Sequence, residues 1–244
     1  MTVLEKRILA IIPARGGSKG IPGKNTLSVG GKPMIAHTIG PALQALQEGA
    51  VQELIVSTDD EGIAAIARQW GAPVPFLRPP SLAGDRSRSI DYVLHALDYF
   101  AAERGQAFDA VLILQPTSPL RRAEHIVEAV AQFRSATEPS LISCFQEPSL
   151  LPTILYFHEE GHAVPLAAQH NTGSARQDVS PLYVRNGAIY LCDVDYLRQH
   201  GKLVSDRPLL FEMSKAQSVN LDSAEDLETL RSYFDRQLHS PENL

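Results

Sequence analysis

The sequence has little cysteine, no excess of positive charge and no long apolar run. Its only two cysteines among 244 residues, Cys144 and Cys192, each lie in an apolar stretch. This pattern predicts reduced thiols in a protein core and argues against a disulfide framework or a zinc site. No apolar run reaches the length of a membrane span, and the run after Lys6-Arg7 is interrupted by Pro13, which argues against a signal peptide. We therefore expect a cytoplasmic protein that does not enter a membrane.

The charge balance is acidic, with 22 Lys and Arg against 28 Asp and Glu, for a net charge of −6. Such a balance argues against a protein that binds nucleic acid or an anionic membrane over a broad surface. The length suits one large α/β domain with an ample core. A basic cluster in this chain therefore indicates a local site.

Such a cluster lies in the loop 14–25, directly after the apolar run 8–12. The loop contains four glycines together with Arg15, Lys19 and Lys24. Glycines let backbone N–H groups converge on an anion, and the cations supply the charge that phosphate oxygens require. The loop is therefore predicted to hold a nucleoside triphosphate.

Named motifs match this loop only in part. Residues 16–20 fit the G-x-S-x-G elbow of hydrolases, but Ile21-Pro22-Gly23 prolongs the loop where that motif requires a helix. Gly23-Lys24 resembles a Walker A motif, but Asn25 stands where a magnesium-binding Ser or Thr is required. No G-x-G-x-x-G occurs. The phosphate-binding interpretation remains, whereas the hydrolase and P-loop assignments do not.

Apolar runs alternate with helical periodicity through the first 140 residues. Strands are predicted near 8–12, 53–57, 110–114 and 140–145, and helices near 34–47, 62–70, 89–103 and 123–135. This order predicts a Rossmann-like, doubly wound, mostly parallel sheet with its ligand site beyond the carboxyl ends of the strands. Gly40-Pro41 is expected to kink or break the first helix.

Beyond residue 140 the pattern changes to short strands, near 154–157 and 183–191, around a polar segment. We interpret the region from about 140 to 210 as a small inserted lobe. Residues 158–162, His-Glu-Glu-Gly-His, have the spacing of a zinc-protease helix. Gly161 and the flanking strand-like runs favour a β-hairpin instead, without zinc.

Two capping boxes are predicted. Thr58 and Glu61 are placed to cap the helix that follows the strand at 53–57, and Ser223 and Asp226 to cap an amphipathic helix over 223–237. The loop 114–121 follows another strand, and its two prolines are expected to hold polar side chains in fixed positions for a polyhydroxylated ligand.

Together these segments resemble the acylneuraminate cytidylyltransferase family, the CMP-sialic acid synthetases. The resemblance extends in order from about residue 8 to about 235. It is carried by the loop 14–25, Val56-Ser57-Thr58-Asp59, Leu77-Arg78-Pro79, Leu82-Ala83 with Asp85, the loop 114–121, Arg176-Gln177, and Asn186-Gly187-Ala188-Ile189-Tyr190. It implies a single nucleotidyltransferase domain over 1–244, whose lobe at about 140–210 contributes to the sugar site and to a homodimer.

The resemblance also implies the substrates and their contacts. Attack of the anomeric hydroxyl of a nonulosonic acid on the α-phosphate of CTP would release pyrophosphate. By this resemblance, the phosphates are contacted by Arg15, Ser18 and Lys24. The cytosine is contacted by Asn25, Arg78 and Ser87. The sugar acid falls to Gln115, Arg176, Asn186 and Tyr190, with Arg176 pairing its carboxylate.

The family's metal site is a D-x-D pair, and here the segment reads Asn220-Leu221-Asp222. The resemblance implies Mg²⁺ held by Asp222 and Asn220, with weaker affinity because one carboxylate is missing. Lys24, Arg15 and Asp222 are the implied catalytic residues. Which nonulosonic acid is used stays open, because Leu151-Pro152-Thr153 stands where some members carry a lysine. An octulosonic-acid cytidylyltransferase and a non-catalytic nucleotide-binding homologue are the alternatives.

Overall fold

The computed structural model describes residues 6–17, 20–168, 170 and 180–238. The strands within them are β1 Ile8–Pro13, β2 Ser28–Val29, β3 Lys32–Pro33, β4 Glu53–Ser57, β5 Ala110–Ile113, β6 Ser140–Gln146, β7 Tyr156–Glu159, β8 His162–Pro165, β9 Tyr183–Asp193 and β10 Leu209–Glu212. The α-helices are α1 Ala36–Gln47, α2 Glu61–Gln69, α3 Ser89–Arg104, α4 Ala123–Arg134, α5 Val194–His200 and α6 Ala224–Leu238.

Six strands form the central sheet, in the order β10-β6-β9-β5-β1-β4. β1 pairs in parallel with β4 and β5, and β10 pairs in parallel with β6. β9 lies antiparallel between β5 and β6. The predicted mostly parallel sheet is therefore confirmed.

The alternation of side chains along β1 explains why both faces of the sheet are covered. Ile8, Ala10 and Ile12 belong to one buried cluster, which includes residues of α1, α2 and α4. Leu9 and Ile11 belong to a second cluster, which includes residues of α3 and α5. The predicted doubly wound arrangement follows from this division.

Of the predicted kink or break at Gly40-Pro41, the break is wrong, because α1 continues through Pro41 to Gln47. Burial on both sides of the proline accounts for the difference. Ile39 before it and Ala45 after it are fully buried, and both belong to the core beneath the helix. Tertiary packing thus outweighs the lost backbone hydrogen bond.

One predicted capping box is wrong and the other is confirmed. The Asp60 side chain caps α2 by accepting from Ile63 N at 2.8 Å, while Thr58 accepts from Asp60 N. At α6, the Asp226 carboxylate accepts from Ser223 N at 2.7 Å and Ser223 Oγ accepts from Asp226 N at 3.2 Å. The α2 prediction failed because Asp60, two residues nearer to the helix than Thr58, occupies the N-cap position and supplies the acceptor.

The segment 140–210 contributes β6, β9 and β10 to the central sheet, whereas β7 and β8 form a separate antiparallel hairpin. The hairpin turns at Glu160 and Gly161, whose φ angles are 48° and 84°. The hairpin predicted for residues 158–162 is thus confirmed. His158 and His162 lie on opposite strands and do not share the face of a helix.

No α-helix within the described residues is long and apolar enough to cross a membrane. Cys144 and Cys192 are both free and buried, as predicted for core thiols. Burial raises the pKa of the Cys192 thiol to about 12, so this side chain stays protonated at neutral pH.

Candidate active site

A cavity of about 410 Å³ opens beyond the carboxyl ends of β1 and β5. This is the edge of the sheet at which the parallel strands predict a ligand site. The predicted residues that line it come from four segments far apart in the chain: Arg15, Lys24, Asn25, Arg78, Ser87, Gln115, Asn220 and Asp222. The fold therefore brings Arg15 and Lys24, predicted to bind phosphate, together with the predicted cytosine and metal residues.

Lys24 is less exposed than Arg15, the other described cation of the loop 14–25. Its side chain is only 14% exposed and lies at the start of a short 3₁₀ helix, Lys24–Thr26. Nζ donates to the Leu221 carbonyl at 2.8 Å and to Asp222 Oδ1 at 3.0 Å. The loop 14–25 and the predicted metal segment are thus joined through one ammonium group.

Gly20 allows the same two segments to approach each other. A Cβ at this position would lie 2.8 Å from the Asp222 carbonyl oxygen, closer than real Cβ atoms come to backbone. Glycine is therefore required by the close approach of the loop to residue 222.

We expect Gly20→Ala to lower kcat by about 10²-fold, because a displacement of about 1 Å in a catalytic loop has this order of effect. Steady-state kinetics would measure it. Gly40→Ala is the matched control, since its Cβ would meet nothing within 4 Å. Equal activity of the two variants would contradict the packing argument.

Hydrogen bonds also order Arg15, Gly16 and Asn25 of the loop. Arg15 lies 3.0 Å from the carboxylate of Asp85, and its carbonyl accepts from Asn25 Nδ2 at 3.0 Å. Gly16 N donates to Asp59 Oδ1 at 3.0 Å. The Asn25 amide thus closes the loop on itself, in addition to lining the cavity.

Arg78 is buried in the wall of the cavity. Its guanidinium donates to the hydroxyl and to the carbonyl of Ser57 and lies 4.6 Å from the centroid of the Tyr92 ring. Burial lowers the pKa of Arg78, and Tyr92 and Asp59 oppose that shift. Ser87 donates to the Ser81 carbonyl at 3.1 Å and orders the segment that follows Arg78. These contacts present a rigid polar wall, which suits recognition of a base edge.

A second, smaller cavity of about 220 Å³ adjoins the first, because both are lined by Ser89, Tyr92 and Gln115. Tyr190 and Arg185 line only the smaller one. Burial raises the pKa of Tyr190, so the phenol stays neutral. Two of the predicted sugar-binding residues, Gln115 and Tyr190, are therefore placed together.

Asn186 lies behind these cavities rather than in their walls. Its side chain accepts from Ser143 Oγ at 2.6 Å and donates to Ser218 Oγ at 2.9 Å, and the residue is 3% exposed. Its placement supports a positioning role. The two remaining predicted residues, Ser18 and Arg176, lie outside the described part of the chain.

Tyr92 and Ser89 were not found from the sequence. Tyr92 is buried and falls on the apolar face of α3 beside Val93 and Ala96, so the helical pattern marked it only as core. Asp85 is one of the residues that carry the family resemblance, but no sequence pattern near it predicts that it pairs with Arg15.

The chemistry of Asn220 and Asp222 fits a magnesium site of few protein ligands. Asp222 keeps 66% of its side chain exposed at the cavity, and Asn220 Nδ2 donates to its carboxylate. Asn220 Oδ1 is buried without a hydrogen-bond partner among the described residues. The same residues offer no group of three His, Cys, Asp or Glu side chains placed for a metal. Mg²⁺ takes most of its ligands from phosphates and water, so one carboxylate and one amide oxygen suffice for such a site.

Comparison with known proteins agrees with this geometry. A family model described as Cytidylyltransferase matches residues 9–239, and the chain belongs to that family. The chain is 39% identical to the CMP-N,N'-diacetyllegionaminic acid synthase of Legionella pneumophila, over 90% of this chain and 93% of that protein. It is 30% identical to a pseudaminic acid cytidylyltransferase of Campylobacter jejuni, over 90% and 93% of the two chains.

An N-acylneuraminate cytidylyltransferase of Streptococcus agalactiae serotype V is 36% identical over 96% of this chain, which spans only 55% of that longer protein. Among solved structures, a CMP:2-keto-3-deoxy-manno-octonic acid synthetase complexed with CTP superimposes with a TM-score of 0.67. It is 21% identical and covers 95% of this chain and 99% of its own, which shows a shared fold.

Proposed function

We propose that this protein transfers CMP from CTP to the anomeric hydroxyl of a nonulosonic acid and releases pyrophosphate. The observation that carries the proposal is the pair of adjoining cavities. One is lined by Lys24, Arg15 and Arg78, and the other by Tyr190 and Arg185, with Gln115 in both. Relatives named for legionaminic, pseudaminic and N-acylneuraminic acids support a nonulosonic acid in the second cavity.

The larger cavity supplies what nucleotidyl transfer requires, which is positioning and positive charge rather than a side-chain nucleophile. Lys24 would turn from Asp222 toward the reacting phosphate and stabilise the charge that develops there. Arg15 and the backbone of its loop would hold the remaining phosphates. The rigid Arg78 wall and Ser87 would face the cytosine.

The smaller cavity would hold the acid. Gln115 and Tyr190 are placed to orient its hydroxyls, and Asn186 supports the Gln115 loop from behind, because Ser118 Oγ donates to its carbonyl at 3.1 Å. A cation is required for the carboxylate, and Arg185 and Arg176 are the candidates.

We also propose Mg²⁺ as the cofactor, held by Asp222 and the amide oxygen of Asn220. Bound there beside the phosphates, it would neutralise their charge and favour departure of pyrophosphate.

The test is a pyrophosphate-release screen with CTP, UTP, ATP and GTP against sialic, legionaminic, pseudaminic and octulosonic acids. We expect turnover with CTP and one of the first three acids. Activity with the octulosonic acid alone would contradict the nonulosonic-acid proposal and would support an octulosonic-acid cytidylyltransferase. CTP binding by calorimetry without turnover in any well would identify a non-catalytic homologue.

A homodimer is proposed from the exposed apolar surface of the β7–β8 hairpin. Phe157 and Tyr156 are 54% and 50% exposed, and Ile154 and Leu166 beside them are 56% and 49% exposed. Large apolar side chains exposed to this extent, on a hairpin outside the central sheet, support an interaction site there. A cytoplasmic location is proposed as well, because both cysteines are free thiols in the core.

We expect Phe157→Asp to halve the mass measured by light scattering after gel filtration, because a buried unpaired carboxylate disfavours the interface. Phe157→Leu, which keeps the surface apolar, should retain the dimer. A wild-type protein with the mass of one chain would refute the proposal.

A further inference from the structure

A cavity of about 540 Å³ lies on the sheet face covered by α1 and α4, and it shares no lining residue with the two cavities of the candidate active site. Its walls come from α1, the start of α4, and Tyr233 and Phe234 of α6. No step of the proposed reaction uses it.

Arg121 lines this cavity and is 1% exposed. Its Nη1 donates to the carbonyl of Ala188 at 2.7 Å and to that of Gln115 at 3.2 Å. Nε and Nη2 have no hydrogen-bond partner, and no carboxylate pairs with this guanidinium, among the residues described. A buried cation with unused donors is costly unless an acceptor is supplied.

The surroundings of Arg121 are positive. Lys32 and Arg122 also line the cavity, whereas Glu124 is its one acidic wall residue. α4 begins at Ala123. His125 Nδ1 accepts from the N-cap Arg122 N at 3.1 Å, but the Arg122 side chain has no acceptor atom for the N–H groups of the first turn, so those groups and the helix dipole add positive potential. Burial lowers the pKa of His37 in the opposite wall, which leaves that ring neutral at pH 7.

We propose that this 540 Å³ cavity binds a phosphate-class oxyanion, held by the Arg121 guanidinium and the N-terminus of α4, with Lys32 and Arg122 at its rim. The same guanidinium holds the Gln115 carbonyl, so the bound anion would be linked to the wall of the active site through one side chain. This site is separate from the proposed CTP site, and its test does not depend on turnover.

The only tryptophan of the chain, Trp70, lines this cavity and none of the active-site walls, so its fluorescence reports on the proposed site. The probes are inorganic phosphate and pyrophosphate, which do not absorb at the excitation wavelength. We expect a saturable change in Trp70 emission in wild-type protein, with sodium chloride at equal ionic strength giving none.

Variants distinguish anion binding in this cavity from anion binding in the active site. Lys32→Ala/Arg122→Ala should raise the apparent Kd about tenfold or more, since it removes two charged rim groups. Arg121→Lys should weaken binding similarly if it folds. Lys24→Ala, which alters the active site, should leave the titration unchanged. Absence of a saturable change, or a change lost in Lys24→Ala and kept in the rim variant, would overturn the proposal.

Discussion

Replacing Lys24 by alanine is expected to lower kcat by about 10²- to 10³-fold, the usual cost of removing one preorganised group that stabilises transition-state charge. The side chain is 14% exposed, and its ammonium group is held within 3.0 Å of both Leu221 O and Asp222 Oδ1, at the wall of the 410 Å³ cavity. Little reorganisation is needed for it to meet a phosphate there. Pyrophosphate release with saturating CTP and acid would measure the effect.

A lysine outside the cavity provides the control for this variant. Lys202 pairs with Asp206 at 3.2 Å on an exposed surface, and neither lines the active-site cavities. Lys202→Ala should keep wild-type kinetics, because an exposed pair contributes little. If kcat fell by less than fivefold in a folded Lys24→Ala protein, Lys24 would not be a catalytic residue.

The second large effect is expected at Asp222. Asp222→Asn keeps the shape of the side chain but removes the one carboxylate of the proposed Mg²⁺ pair, and it should lower activity about 10²-fold at millimolar Mg²⁺. Part of this activity should return at higher Mg²⁺ concentration. The half-saturating Mg²⁺ concentration, measured with CTP saturating, is the readout.

Asn220→Asp is the reciprocal variant. It adds a carboxylate at the position where the amide oxygen has no partner among the described residues, and it should lower the half-saturating Mg²⁺ concentration about tenfold. Unchanged Mg²⁺ dependence in both variants would show that residues 220 and 222 do not hold the metal.

Much of the architecture was predictable because it rests on local pattern. The strand at 53–57 was predicted with the bounds it has, and the run 8–12 forms β1 with one residue added. The position of β9 in the middle of the sheet was not predictable. Periodicity identifies a strand but carries no information about its neighbours. β9 lies between β5 and β6, where Ile189 and Leu191 pack into one buried cluster and Cys192 packs into the other, so both of its faces are covered.

The residues of the candidate site likewise include some that the sequence identified and some whose placement it did not predict. Arg15, Lys24 and the Gln115 loop were recognisable because glycine-rich and proline-rich loops after strands have a local chemical signature. Asn186 looked like a sugar contact in the sequence, yet its amide is used within the core. The motif 186–190 can be recognised in the sequence. The hydroxyls of Ser143 and Ser218 that bind the Asn186 side chain, however, come from distant segments.

The sequence by itself therefore determined the class of sheet and the family and located the loop 14–25 as a candidate phosphate site, because these depend on residues that are neighbours in the chain. Only the tertiary structure decided that Lys24 meets Asp222, that Arg78 is held by Ser57, and that Arg121 is buried with donors unused. Each of these contacts joins segments between 21 and 198 residues apart, or depends on what surrounds a side chain in space. Such pairings are set by packing of the whole chain, which local pattern does not encode.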